Sequence, residues 1–266
     1  MPHRPPFRRV TSRQNSVVAA FRDAAAHPSD ELVFIEGARL ALEAVQAGWT
    51  LDIVAFGEAA PRHAAAAALL QDLPEGTDLL TVTHPVLDAI SPASSPSGVA
   101  ALARPPKARR NPFGGAAPLV IAACDVQDPG NIGAILRAAE AAGAGGALVC
   151  GTSAHPFGWK ALRGSMGSAF RLPIAMYGSA AAAVEAVRSA GLRVVALAVR
   201  GGEDLSQADL QGGVAIFVGG EGPGLARDVL AAADRTLSIP MAPPVESLNV
   251  AVAAGIALYE AWRQRR

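Results

Sequence analysis

The sequence predicts an α/β protein of two domains, the second built on a largely parallel sheet. Short apolar runs alternate with amphipathic stretches along most of the chain, which is the pattern of strands crossing through helices. That alternation is interrupted near the middle by Arg104-Pro-Pro-Lys-Ala-Arg-Arg-Asn-Pro-Phe-Gly-Gly115, which is rich in Pro, Gly and charge and has no periodicity. Beyond it, three glycine- and proline-rich loops each follow an apolar run and precede a helical pattern, at strand ends where open α/β sheets hold ligands.

In chain order, residues 13–26 read as a helix that stops before Pro28 and residues 32–35 as a strand. Residues 38–47 form a helix closed by Gly48, a favourable residue just past a helix end. A strand over 51–56, a helix over 61–70, a strand over 79–82, a short helix over 85–90 and a strand over 98–103 complete a first domain of residues 1–104. Residues 105–115 are the linker, and the second domain spans 116–266. There a strand at 119–126 leads into a helix at 132–142 capped by Gly143, then a strand at 146–150. Helices follow at 159–167 and at 180–190, the latter ended by Gly191. Strands at 194–199 and 214–218, a helix at 225–232, a strand at 236–239 and a helix at 248–263 finish the chain. Helical crossovers join parallel strands.

Composition allows a core but concentrates it. Of the 266 residues 51% are apolar, many of them alanine, so Val33, Phe34, Val120, Ile121, Ile216 and Phe217 carry the packing. The formal net charge of zero gives no bulk argument for nucleic acid, but the distribution is uneven. Residues 1–22 hold Arg4, Arg8, Arg9, Arg13 and Arg22 without a carboxylate, residues 104–110 hold Arg104, Lys107, Arg109 and Arg110, again without one, and the chain ends Arg263-Gln-Arg-Arg266. Such clusters suit phosphate contacts or are solvated tails. Cys124 and Cys150 read as reduced core residues, and no zinc spacing occurs. The apolar run at 17–21 is too short for a signal peptide and that at 248–262 too short for a bilayer. The expectation is a soluble, cytoplasmic protein without a metal.

In the first loop, Asp128-Pro-Gly-Asn-Ile-Gly133, Asn131 occupies the expected helix cap. Arg137 lies early on the helix, where a cation opposes the helix dipole; that suggests an anionic or polar partner, with pairing to Asp128 or Glu140 as the alternative. The second loop, Gly219-Gly-Glu-Gly-Pro-Gly224, contains a spaced-glycine pattern too late in the domain for a dinucleotide fingerprint. Glu221 stands either in the site or as a helix-start carboxylate. In the third, Ile239-Pro-Met-Ala-Pro-Pro-Val-Glu-Ser-Leu-Asn249, three prolines stiffen the backbone. Ser247 reads equally as a plain cap or a functional hydroxyl, while the Asn249 amide, on an apolar helix, needs a partner.

Together the three loops, with Arg137, resemble the three motifs of the SpoU family of RNA ribose 2′-O-methyltransferases, the TrmH-like members of the SPOUT superfamily. Lys160-Ala-Leu-Arg-Gly-Ser-Met-Gly167 is similar to a further family segment. Phe34-Ile-Glu-Gly37 and Ser97-Gly-Val-Ala100 resemble the ribosomal-protein-like RNA-binding domain that precedes many members. The resemblance implies a C-terminal α/β domain threaded into a trefoil knot, a smaller N-terminal RNA-binding domain, a homodimer using the last helix, and S-adenosylmethionine as methyl donor. It implies donor binding by Gly219, Gly220, Gly222, Ile239, Met241 and Leu248. It also implies chemistry at Arg137, Asn131, Glu221, Ser247 and Asn249, on RNA, with ribosomal RNA expected and transfer RNA the alternative. The resemblance assigns Arg137 as base; arginine is a poor base because it holds its proton tightly, so Arg137 reads first as electrostatic stabiliser of the 2′-oxygen and positioner, with base as its lesser role. A non-catalytic RNA-binding protein and a nucleotide-dependent oxidoreductase are the rival classes. The intact motif residues disfavour the first, and the late glycine loop disfavours the second.

Overall fold

The computed structural model describes residues 7–107, 111–220, 222 and 224–266. The chain divides into two compact units: 1–108 with 157–170, and 109–156 with 171–266.

The first unit contains strand β1 (Arg8–Val10), helix α1 (Ser16–Ala26), β2 (Val33–Glu36), α2 (Ala38–Gln46), β3 (Thr50–Gly57), α3 (Ala64–Asp72), β4 (Asp78–Val82), α4 (His84–Ile90) and β5 (Val99–Arg104). The strands form one mixed sheet in the order β1-β4-β3-β5-β2, with β5 antiparallel to both neighbours. Both faces are covered, since five successive residues of β5 are buried. On one face Phe34, Ala55, Leu80 and Leu102 pack with Val18 and Phe21 of α1 and Val86 and Ile90 of α4. The sequence missed β1, a three-residue strand with two exposed arginines and no alternation of its own; its pairing with β4 makes it.

The second unit's strands are β6 (Leu119–Cys124), β7 (Gly146–Cys150), β8 (Ile174–Tyr177), β9 (Arg193–Leu197), β10 (Glu203–Asp204), β11 (Val214–Gly219) and β12 (Arg235–Ser238). They form a seven-stranded sheet ordered β10-β12-β9-β11-β6-β7-β8. Every pairing is parallel, as the helical crossovers predicted. The helices are α5 (Pro129–Ala141), α8 (Ala180–Ser189), α9 (Arg227–Ala232) and α10 (Val250–Gln264); α6 (Trp159–Ser165) and α7 (Ser168–Arg171) lie between β7 and β8. Central strands β6 and β7 are buried throughout. Ala183, Val184 and Val187 of α8 and Val229 of α9 pack on Val120, Leu148, Val194 and Phe217. On α10, Gly255 approaches Ala138 of α5, where an added Cβ would stand 4.0 Å from the alanine Cβ.

Helix α6 falls where a helix was expected, but residues 157–170 pack with the first unit. Trp49 stacks edge-on against Phe157 and Phe170, with ring centroids 5.3 and 5.0 Å apart. Its indole N–H donates to the Phe170 carbonyl at 3.1 Å. Within the expected linker, Pro112 sits so close to Gly146 that a Cβ there would stand 2.4 Å from the proline Cβ. Among the described residues, no helix is long and apolar enough to cross a membrane.

Candidate functional site

At the C-terminal ends of β9, β11 and β12 the second unit encloses a cavity of about 590 Å3. That lies within the roughly 300–1,000 Å3 range of small-molecule sites. Gly219, Gly220, Gly222, Ile239, Met241 and Leu248, the six residues singled out in the sequence for ligand binding, all line it, as do Ser247 and Asn249. Leu225, Leu230 and Val218 complete an apolar wall.

Glycine is required at this wall by space. A Cβ on Gly219 would stand 2.1 Å from the Gly224 carbonyl carbon, and one on Gly220 would stand 2.0 Å from the Asp125 carbonyl oxygen. The loop after β11 therefore folds back on itself, with Gly220 bridged to Gly224, and presses against the end of β6. Gly222 and Gly224 have φ of +94° and +67°, a region closed to most side chains, and a Cβ at either would meet nothing within 4 Å. The result is a thin, open, backbone-lined wall beside apolar side chains.

The first and third loops meet through two amides. Asn249 Nδ2 donates to Asn131 Oδ1 at 3.0 Å, joining positions 118 residues apart. Asn249 Oδ1 meanwhile accepts from the backbone N–H of Ala251 and Val252, which makes Asn249 the cap of α10. The partner expected for this amide is Asn131.

Three expectations about these residues are corrected. Asn131 is not the cap of α5: the helix starts at Pro129 and Asp128 is the cap, its carboxylate accepting from the Asn131 N–H at 2.8 Å. Proline suits a first helical position because it lacks the N–H that would go unbonded. Ser247 is not the cap of α10, a role Asn249 fills; Ser247 is exposed at the cavity. Because α5 begins early, Arg137 is its ninth residue, beyond the first turn to which the dipole argument applies. Arg137 is exposed and is not among the cavity-lining residues. It does not pair with the carboxylates considered: Asp128 caps the helix, and Glu140 binds Arg171 bidentately at 2.6 and 2.9 Å. Glu221 lies outside the described residues.

A fourth loop also lines the cavity. Residues 197–200, at the end of β9, contribute to the wall, although nothing in that stretch marks it as a motif. The one available signal was its position, at the C-terminal end of a central parallel strand.

The basic clusters of the sequence are largely engaged. Arg8 pairs with Asp78, Arg9 with Glu58 and Arg104 with Asp52, at 2.7–2.8 Å and mostly exposed. Arg13 and Arg22 are exposed without an ion pair among the described residues; Arg4, Arg109 and Arg110 lie outside them. In the same unit Glu36 is buried and fully engaged, accepting from the Ser91 hydroxyl and from the Ser97 hydroxyl and N–H at 2.8–2.9 Å.

Comparison with known proteins bears on this geometry. The family model for SpoU rRNA methylases matches residues 118–259, and that for an MRM3-like substrate-binding domain matches residues 25–101. An uncharacterised tRNA/rRNA methyltransferase of Mycobacterium sp. (strain KMS) is 41% identical over 152 residues, 57% of this chain and 48% of that protein. The matched region thus spans about half the length of such curated relatives. A crystal structure of an RNA 2′-O ribose methyltransferase superposes with a TM-score of 0.82 at 33% identity, covering 97% of this chain and 99% of that one. An AdoMet-bound rRNA methyltransferase from Sinorhizobium meliloti superposes with a TM-score of 0.82 at 30% identity, covering 97% and 98%.

Proposed function

The chain belongs to the SpoU rRNA methylase family, and from that membership we propose that it methylates a ribose 2′-oxygen in RNA, taking the methyl group from S-adenosylmethionine. The observation that carries the reading is the convergence of the second and third motif loops on one cavity, with the first tied to it through Asn131 and Asn249. Ribosomal RNA is the favoured substrate, supported by the two-unit layout shared with the Sinorhizobium rRNA methyltransferase. Transfer RNA is the second reading, since relatives carry tRNA/rRNA methyltransferase as their name.

Bound in the cavity, S-adenosylmethionine supplies an electrophilic methyl group. Gly219, Gly220 and Gly222 offer backbone donors and acceptors at close approach, and Ile239, Met241 and Leu248 exclude water from the nucleoside. The Asn131–Asn249 pair fixes two amides at the edge of the cavity where the ribose must arrive, and Ser247 adds a hydroxyl. Such positioning supplies much of the rate in a direct displacement. Arg137 stabilises negative charge growing on the 2′-oxygen or holds the adjacent phosphate, with proton removal as its lesser role, arginine being a poor base. Glu221 is assigned beside it from the motif match.

The first unit, with Arg13 and Arg22 exposed, reads the RNA. The protein acts as a homodimer through α10, whose Val252, Ile256 and Tyr259 are exposed on one helical stripe. The family's trefoil knot belongs to the second unit, the part of the chain that carries most of the family match. A cytoplasmic setting is supported by two free buried cysteines.

Methyl transfer to ribosomal and transfer RNA tests the reading. We expect Arg137→Ala to lower turnover at least a hundredfold with donor affinity unchanged, and Arg137→Lys to recover part of it. Near wild-type turnover in both variants removes Arg137 from the chemistry.

A further inference from the structure

The cavity has one charged wall residue that no motif includes. Among its described lining residues Arg200 alone carries charge; the others are glycines, aliphatic side chains, Met241, Ser247 and Asn249. Its guanidinium stands 3.6 Å from the carboxylate of Glu246, the residue preceding Ser247. Both side chains are largely exposed, 76% and 83%, so the pair sits at the mouth of the cavity. An exposed pair at that distance contributes little to stability. The backbone around it is nevertheless firmly placed. Gly201 has φ of +79°, and a Cβ on Gly202 would stand 2.5 Å from the Leu237 carbonyl carbon. The Arg200 loop is thereby seated against β12, which runs directly into the third motif loop.

We infer that Arg200 and Glu246 form the subsite for the amino-acid end of S-adenosylmethionine, Arg200 taking the α-carboxylate and Glu246 the α-ammonium. The inference rests on the reading of this cavity as the methyl-donor site. The donor has a flat adenosine part, a sulfonium and a zwitterionic tail. The apolar, glycine-lined wall suits the adenosine. The zwitterion is the part most costly to strip of water, so it belongs at the mouth, where charges of both signs already stand. Exchanging partners there conserves charge, since the pair and the zwitterion are each neutral overall. The guanidinium fork also matches a carboxylate with two parallel hydrogen bonds.

Isothermal titration of the full chain with S-adenosylmethionine, S-adenosylhomocysteine and 5′-methylthioadenosine, which lacks the amino-acid end, tests this without an RNA substrate. Arg200→Ala should weaken binding of the first two about tenfold and leave 5′-methylthioadenosine within about twofold; Glu246→Gln should act in the same sense. Equal losses for all three ligands would assign Arg200 to holding the loops and overturn the inference, as would unchanged S-adenosylhomocysteine binding. If the unaltered protein binds none of the three, the donor-site reading falls and the subsite with it. Binding of all three that is indifferent to Arg200 removes the subsite alone.

Discussion

Asn249 serves two partners at once, and its functions separate by substitution. Its Oδ1 caps α10 and its Nδ2 holds Asn131. Asn249→Ala removes both and should cost about 1 kcal/mol of stability through the lost cap. Asn249→Asp keeps the cap but loses the amide donor, so chemical denaturation should find it close to wild type while methyl transfer drops more than tenfold. Full activity in the Asp variant would show that the amide pair has no part in the reaction. The two cysteines make a second case. They are register partners on β6 and β7 and both are buried. The hydrogen bond that the protonated Cys124 thiol makes to Cys150, then burial, push the Cys124 thiol far above the ordinary thiol range. The reactive thiolate is therefore suppressed. Neither cysteine should react with a water-soluble disulfide reagent in the native protein, and both should react once it is unfolded. The bland sequence reading of these residues as reduced core holds. That of Ser247 as a helix cap does not, because two candidate caps lay two residues apart and only the backbone path chose Asn249.

At the scale of elements, α10 is held at both ends. Asn249 fixes its start, and beyond its end Arg265 donates to the carbonyls of Ala117, Leu210 and Gly212 at 2.7–2.8 Å. Gln264 adds bonds with the Leu210 N–H and the Ala208 carbonyl. Burial pulls the Arg265 pKa below its ordinary value, without bringing an arginine near neutrality. Arg265→Ala should cost about 2–3 kcal/mol, given that bonds from charged donors contribute roughly 1.5–3 kcal/mol each and are not additive. Urea unfolding measures it, and a loss below about 0.5 kcal/mol would mean that the clasp is ornamental. Helix periodicity and terminal glycines made the helix bodies legible. The basic run at 263–266 read as phosphate contacts or a solvated tail, whereas Arg263 pairs with Glu260 and Arg265 is spent on backbone carbonyls. Strand β8 was not legible: its residues Ile-Ala-Met-Tyr are only partly buried at the sheet edge, so no alternation marks them.

For the whole molecule, the exposed stripe on α10 carries a consequence. Val252, Ile256 and Tyr259 are 51%, 39% and 61% exposed, an apolar face of the kind that marks interfaces. Ile256→Arg should convert a dimer to a monomer in light scattering coupled to size exclusion, with helical content retained. A wild-type monomer would remove the dimer reading. The chain's division into units has a further consequence. Residues 157–170, although sequentially inside the second domain, bring Phe157 and Phe170 to Trp49. A truncation at Phe113 would leave those aromatic rings without their partner.

Legible in the sequence were the α/β class, the alternation of elements and the parallel second sheet, which follow from local chemistry: apolar period, capping and terminal glycines. The six residues expected to bind the ligand came from the motif resemblance, and all six line one cavity. Tertiary structure alone decided that Asn131 meets Asn249, that Arg200 joins the cavity wall, that residues 157–170 pack with the first unit, and that Arg265 is a clasp. Each depends on partners far apart in the chain, as with the 118 residues between the two amides, and no local pattern specifies which distant segment closes a contact.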